Sequence, residues 1–129
     1  MVSLLEREQL SQHVELLGAV SPEVIARRLR TTRALLVTSL WEGQPRAVLE
    51  ALGSGVGVVA VGVGDIPLLV QHGRTGLIAE TTAPGELSAL LARVDELASP
   101  AEIAASVHRH QARLVIGEMF AALEDESSS

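Results

Sequence analysis

The sequence predicts an α/β fold, a doubly wound, Rossmann-like parallel sheet with extra helices at the carboxyl-terminal end. Three observations carry that expectation. The strand-like runs, such as Ala34–Thr38 and Val56–Val61, are aliphatic at successive positions, as strands buried on both faces are. Segments with helical spacing alternate with them. Glycine, proline and serine stand at the junctions, where turns and caps need them.

Each element follows in order. Residues 3–10 read as the end of a helix. Val14–Leu17 reads as a short strand closed by Gly18. Ser21-Pro22 opens a helix to about Thr31, because serine caps and proline suits the first helical position. Ala34–Thr38 is a buried strand, and a loop through Trp41-Glu42-Gly43 leads to a helix that starts near Pro45 and ends at Gly53 and Gly55. Val56–Val61 is the next strand, Asp65–Gln71 a short helix, Gly73–Gly76 a turn and Leu77–Ala79 a last short strand. Leu87, Leu90, Leu91, Val94 and Leu97 then mark one helical face. Ser99-Pro100-Ala101-Glu102 fits a capping box that opens another helix, and a final helix covers about Arg109–Leu123. Residues 124–129 are a polar, acidic tail read as disordered.

Composition removes several functions. The 129 residues include no cysteine, so no disulfide or cysteine-based metal site exists. All ten basic residues are arginine, which excludes lysine Schiff bases and a P-loop lysine. The net charge of -6 argues against a nucleic-acid partner, which needs a basic face. Met1–Gln9 mixes Glu6, Arg7 and Glu8 with apolar residues, unlike a signal peptide, and no apolar run reaches membrane-spanning length. A cytoplasmic protein without a transmembrane segment is the expectation.

In doubly wound sheets, ligands bind at the carboxyl ends of strands, which directs attention to the loops after Thr38 and Val61. The helix starting near Pro45 points unpaired N–H groups toward those ends, an anion site suited to a diphosphate. Arg46 in its first turn adds a charged donor. Glu42 in the loop and Glu50 in the helix are carboxylates able to accept hydrogen bonds from sugar hydroxyls. On spacing alone the plainer reading is stronger: Glu42 as a capping acceptor, Glu50 as a solvated helix residue.

Other features have plainer readings too. Gly55-Val56-Gly57-Val58-Val59-Ala60 fits a loose dinucleotide pattern but lies before and within a strand, not after one, and reads as a helix end plus a tightly packed strand. His13, His72, His108 and His110 lack metal-ligand spacing and read as surface or loop histidines. Trp41 is a loop anchor or a flank for the ligand. Asp65 reads as a helix cap.

Residues 39–55, Ser-Leu-Trp-Glu-Gly-Gln-Pro-Arg-Ala-Val-Leu-Glu-Ala-Leu-Gly-Ser-Gly, resemble the E-x7-E signature of glycosyltransferase family 4, the group 1 glycosyltransferases. The resemblance continues through Val58-Val59-Ala60, Val63–Pro67 and His72-Gly73-Arg74-Thr75-Gly76-Leu77-Ile78, and upstream through Val14–Gly18, covering most of residues 12–80. It implies part of a GT-B enzyme, the truncated C-terminal, donor-binding domain, spanning residues 1–123. In that family the reaction is a retaining transfer from a nucleotide sugar, here a UDP- or GDP-sugar, with no metal and no other cofactor. By matched position Glu50 binds the ribose hydroxyls, and Glu42 lies at the donor sugar as the catalytic carboxylate. Gly43, Gln44, Pro45 and Arg46 line the sugar and diphosphate.

Departures accompany the resemblance. Gly57 stands where the family usually has proline, Val61-Gly62 where Thr-Asp is common, and Leu68 where glutamate is frequent. The family's diphosphate-binding Arg and Lys, and its acceptor domain, are expected to precede residue 1. The chain is therefore expected to be inactive alone, and its strand at 14–17 to lack its usual neighbours. An N-terminal acceptor domain or a second copy is the expected partner. Two other readings stay open: a fragment of a GT-B nucleotide-sugar epimerase, and a non-catalytic interaction domain that pairs through its incomplete sheet.

Overall fold

The computed structural model describes residues 6–38 and 46–109. Its elements are α1 (Pro22–Leu29), β1 (Ala34–Val37), α2 (Arg46–Gly53), β2 (Gly57–Val61), α3 (Ile66–Leu69), β3 (Gly76–Ala79), α4 (Pro84–Leu91), a 3-10 turn (Val94–Glu96) and α5 (100–109). The three strands form one parallel sheet in the order β1-β2-β3, with Leu36 opposite Val59 and Val59 opposite Leu77.

The aliphatic run of β2 explains its central place. All five of its residues are buried, which requires a strand on each side and helices on both faces. Its side chains divide between two cores. Val58 and Ala60 join Leu29, Val48, Ala51, Leu52, Ile66, Ile103 and Val107, so α1, α2, α3 and α5 cover one face. Val59 and Val61 join Leu77, Ala79 and Leu87, so α4 covers the other. The fold is doubly wound, as the strand composition predicts.

Local chemistry sets the boundaries. The Ser21 hydroxyl accepts the Val24 N–H at 3.4 Å, and Pro22 follows at the first helical position. Gly55 ends α2 at φ +80, with its N–H on Leu52 C=O at 2.9 Å and the Val56 N–H on Ala51 C=O at 2.9 Å. That pair of bonds is a Schellman end, which needs a left-handed residue at that position. A Cβ added at Gly57 would meet Leu97 Cδ1 at 2.5 Å. The glycine pattern is thus a helix stop and a tight strand contact, as its place in the sequence implies.

Four expectations change. Val14–Leu17 forms no strand, and Val14, Leu16 and Leu17 are 41%, 50% and 42% exposed. A strand exists only where a neighbour takes its backbone hydrogen bonds, and no described strand lies beside this segment. The segment is instead tied to α1 by Glu15, which accepts two bonds from Arg28 at 2.8 and 2.9 Å. The helix expected over Asp65–Gln71 contracts to Ile66–Leu69, and the Asp65 side chain makes no cap bond. The helical face Leu87–Leu97 is real, but its backbone breaks: Arg93 N–H bonds Leu90 C=O and Glu96 N–H bonds Arg93 C=O, i to i-3, tightening the chain into a 3-10 turn. Leu90, Leu91, Val94 and Leu97 still pack on one core. At Ser99 the box is half formed. The hydroxyl accepts the Glu102 N–H at 3.3 Å, while Glu102 lies 3.9 Å from Arg74. The final helix expected over Arg109–Leu123 and the tail 124–129 lie outside the described residues beyond Arg109.

Candidate functional site

Parallel pairing puts the carboxyl ends of β1, β2 and β3 on one rim of the sheet. The rim's described residues are Thr38 after β1, the turn Gly62–Asp65 after β2, and Glu80 after β3. Tight backbone geometry shapes the middle of it. The Val63 N–H donates to Val61 C=O at 2.8 Å, and Gly64 takes φ +56 before α3 begins.

Of the predicted donor-site residues, Arg46 and Glu50 are described. Glu42, Gly43, Gln44 and Pro45 lie outside the described residues, as do Trp41 and His110. Arg46 is the first residue of α2, and Glu50 follows one turn later. Val48, Ala51 and Leu52 are buried on the core side of this helix, and Leu49 packs beside them. Helical geometry puts Arg46 and Glu50 together on the opposite side, four residues apart. Arg46 is exposed and Glu50 half-buried, and no described residue hydrogen-bonds the Glu50 carboxylate. Among the described residues the helix has no acidic side chain in its first turn, where the dipole's positive end meets Arg46. Such an end attracts an anion, and a carboxylate one turn along adds an acceptor for hydroxyls.

Among the described residues no three His, Asp or Glu side chains cluster as metal ligands. His13 and His108 are exposed. His72 is likewise exposed, in the turn before β3, and its Nδ1 accepts the Ile78 N–H at 2.9 Å. Nor did the sequence single out Glu86, whose carboxylate accepts the Glu80 N–H and, at 2.8 Å, the Thr81 hydroxyl. Those bonds hold the Glu86 carboxyl below its ordinary range: the Thr81 hydroxyl contributes most, then the Glu80 amide. A histidine just before a Gly-x-x-Gly turn, and a glutamate in the first turn of a helix after a strand, were the available signals.

Two hollows lie elsewhere. One of about 320 Å³ is lined by Arg33, Gly55, Gly57, Asp95 and Ser99 among others, and one of about 450 Å³ by Arg33, Ala34, Leu91, Ala92 and Val94. Both open at the amino ends of β1 and β2, opposite the rim. Arg33 there already pairs with Asp95 at 2.7 Å, both side chains being largely exposed. In open α/β sheets ligands sit at the carboxyl ends, so the rim is the stronger candidate.

Comparison with known proteins agrees with this architecture. The chain is 39% identical over 70 residues to a trehalose phosphorylase of Pleurotus sajor-caju, across 54% of this chain and 9% of that protein. It is 35% identical over 75 residues to an uncharacterized glycosyltransferase of Methanocaldococcus jannaschii, across 58% of this chain and 21% of the relative. The chain therefore spans a small part of these relatives' length. Its fold matches part of the sucrose-phosphate synthase of Thermosynechococcus elongatus with a TM-score of 0.73 and 19% identity, over 97% of this chain and 34% of that one. That likeness places the sheet within the GT-B architecture. No helix among the described residues is long and apolar enough to cross a membrane. Residues 2–99 match the family described as Glycosyl transferases group 1, and the chain belongs to that family.

Proposed function

We propose that the chain supplies the donor-binding surface of a retaining glycosyltransferase that transfers a hexosyl group from a UDP- or GDP-sugar, and that it is inactive alone. One observation carries the reading. An eight-residue helix opens with Arg46 beyond the carboxyl end of β1 and keeps Arg46 and Glu50 off its core face. The helix amides and Arg46 would hold the diphosphate, and Glu50 the ribose hydroxyls. Glu42, with Gly43, Gln44 and Pro45, would complete the site at the sugar. Charge developing on the departing diphosphate would be met by the same helix end. No metal or other cofactor is called for. The absence of cysteine suits a cytoplasmic setting, and the net charge of -6 does not suit nucleic acid. The partner would be an acceptor-binding domain, from the same polypeptide or another, or a second copy.

Calorimetric titration of the chain with UDP, GDP and their hexose conjugates tests this. Glu50→Gln should weaken nucleoside diphosphate binding about tenfold or more, the worth of a hydrogen bond to a charged acceptor. A folded chain that stays silent at millimolar nucleotide sinks the reading.

The likeness to a trehalose phosphorylase supports a second reading. A phosphorylase passes its glycosyl group to inorganic phosphate, so a sugar 1-phosphate would take the helix end and no ribose would need Glu50. In that case glucose 1-phosphate binds, UDP and GDP do not, and Glu50→Gln changes little.

A further inference from the structure

The outer edge of β3 is closed by side chains. Pairing with β2 uses the backbone of alternate residues: the Val58 N–H bonds Thr75 C=O at 3.3 Å and the Gly62 N–H bonds Ala79 C=O at 3.0 Å. The groups of Gly76, Ile78 and Glu80 therefore point away from β2. Three of these groups find a local partner. The Gly73 N–H donates to Gly76 C=O at 2.8 Å, within a parallel bridge between His72 and Gly76. The Ile78 N–H donates to His72 Nδ1 at 2.9 Å, and the Glu80 N–H to Glu86. An unpaired strand edge is a template for another strand, and natural sheets cover such edges.

We propose that His72 and Glu86 act as edge guards: they occupy the outward amide donors of Ile78 and Glu80 and keep this edge from pairing with the β3 of a second copy. The device needs both ends of the strand. His72 folds back from the turn before β3, and Glu86 reaches back from the first turn of α4 after it. Thr81 steadies the second guard, donating its hydroxyl to Glu86 while accepting the Ala83 N–H at 3.2 Å. Both guards are side chains on the surface, so removing them exposes donors without opening the core.

The test compares the full chain with His72→Ala, His72→Asn and His72→Ala/Glu86→Ala. Amide exchange is read residue by residue, and mass by light scattering over a range of concentrations. His72→Ala should speed exchange at Ile78 about tenfold, the loss of one hydrogen bond. The double variant should also speed Glu80 and should form more dimer or larger species than wild type at equal concentration. His72→Asn, whose side-chain oxygen can replace Nδ1 as acceptor, should stay near wild type. Unchanged Ile78 exchange in His72→Ala, or a double variant that associates no more than wild type, overturns the proposal. So does His72→Asn behaving like His72→Ala, since a packing role for the ring would then explain both.

Discussion

The two outer strands of the sheet differ in how they are finished. β3 is covered on one face by α4, through Leu77 and Ala79, and the outward amides of Ile78 and Glu80 are taken by His72 and Glu86. β1 is covered on the α1 and α2 face through Leu35 and Val37, but on the other face Leu36 is 42% exposed. No described residue pairs with the outward backbone groups of Ala34 and Leu36. One edge is built to end the sheet, and the other is built like an interior strand. The same aliphatic composition thus serves two fates, and the difference comes from which neighbours each strand meets.

Substitution can sharpen the contrast, beginning with the largest effect. Leu77→Ala, at a residue 1% exposed, should lower unfolding free energy by about 3 kcal/mol in a denaturant titration, as core cavities do. Gly76→Ala should cost about 2 kcal/mol, because a Cβ there would collide with the Val58 carbonyl across the β2–β3 pairing. Leu36→Ala, at the matching place on β1, should cost less than about 1 kcal/mol, since much of that side chain already meets water. If Leu36→Ala proves as costly as Leu77→Ala, β1's open face is covered in solution and the contrast fails.

The smallest effect is a pH dependence at the guarded edge. The folded Glu86 carboxyl lies below its ordinary value of 4.5, chiefly through the Thr81 hydroxyl and then the Glu80 amide. Its stabilisation is therefore complete above that ordinary value and is lost as pH falls through the lowered one. As pH falls below that ordinary value the Tm of wild type should fall more steeply than that of Glu86→Gln. Equal slopes would mean that this bond network contributes nothing to β3's closure. Glu15, lowered in the same sense by Arg28, is common to both proteins and cancels in the comparison.

Much of this was legible in the chain itself. The continuous run Gly57–Val61 announces a strand buried on both faces, and Ser21-Pro22 and Gly55 announce a helix start and stop whose geometry the structure bears out. The apolar face from Leu87 to Leu97 was readable, although the break in its backbone was not. Periodicity reports which side chains turn inward, and a shift from i-4 to i-3 bonding leaves that face in place. Of the candidate site, Arg46 and Glu50 fall on one side of α2, whereas Glu42 to Pro45 lie outside the described residues.

The amino-acid sequence by itself determined the class of fold, the family signature, the start of α1 and the end of α2, because these depend on composition, spacing and backbone preferences a few residues long. Tertiary structure alone decided that Val14–Leu17 would not become a strand and that His72 and Glu86 would close β3. A strand and its cap are made by hydrogen bonds to partners beyond the local segment. A short aliphatic run carries no record of whether a neighbour stands beside it.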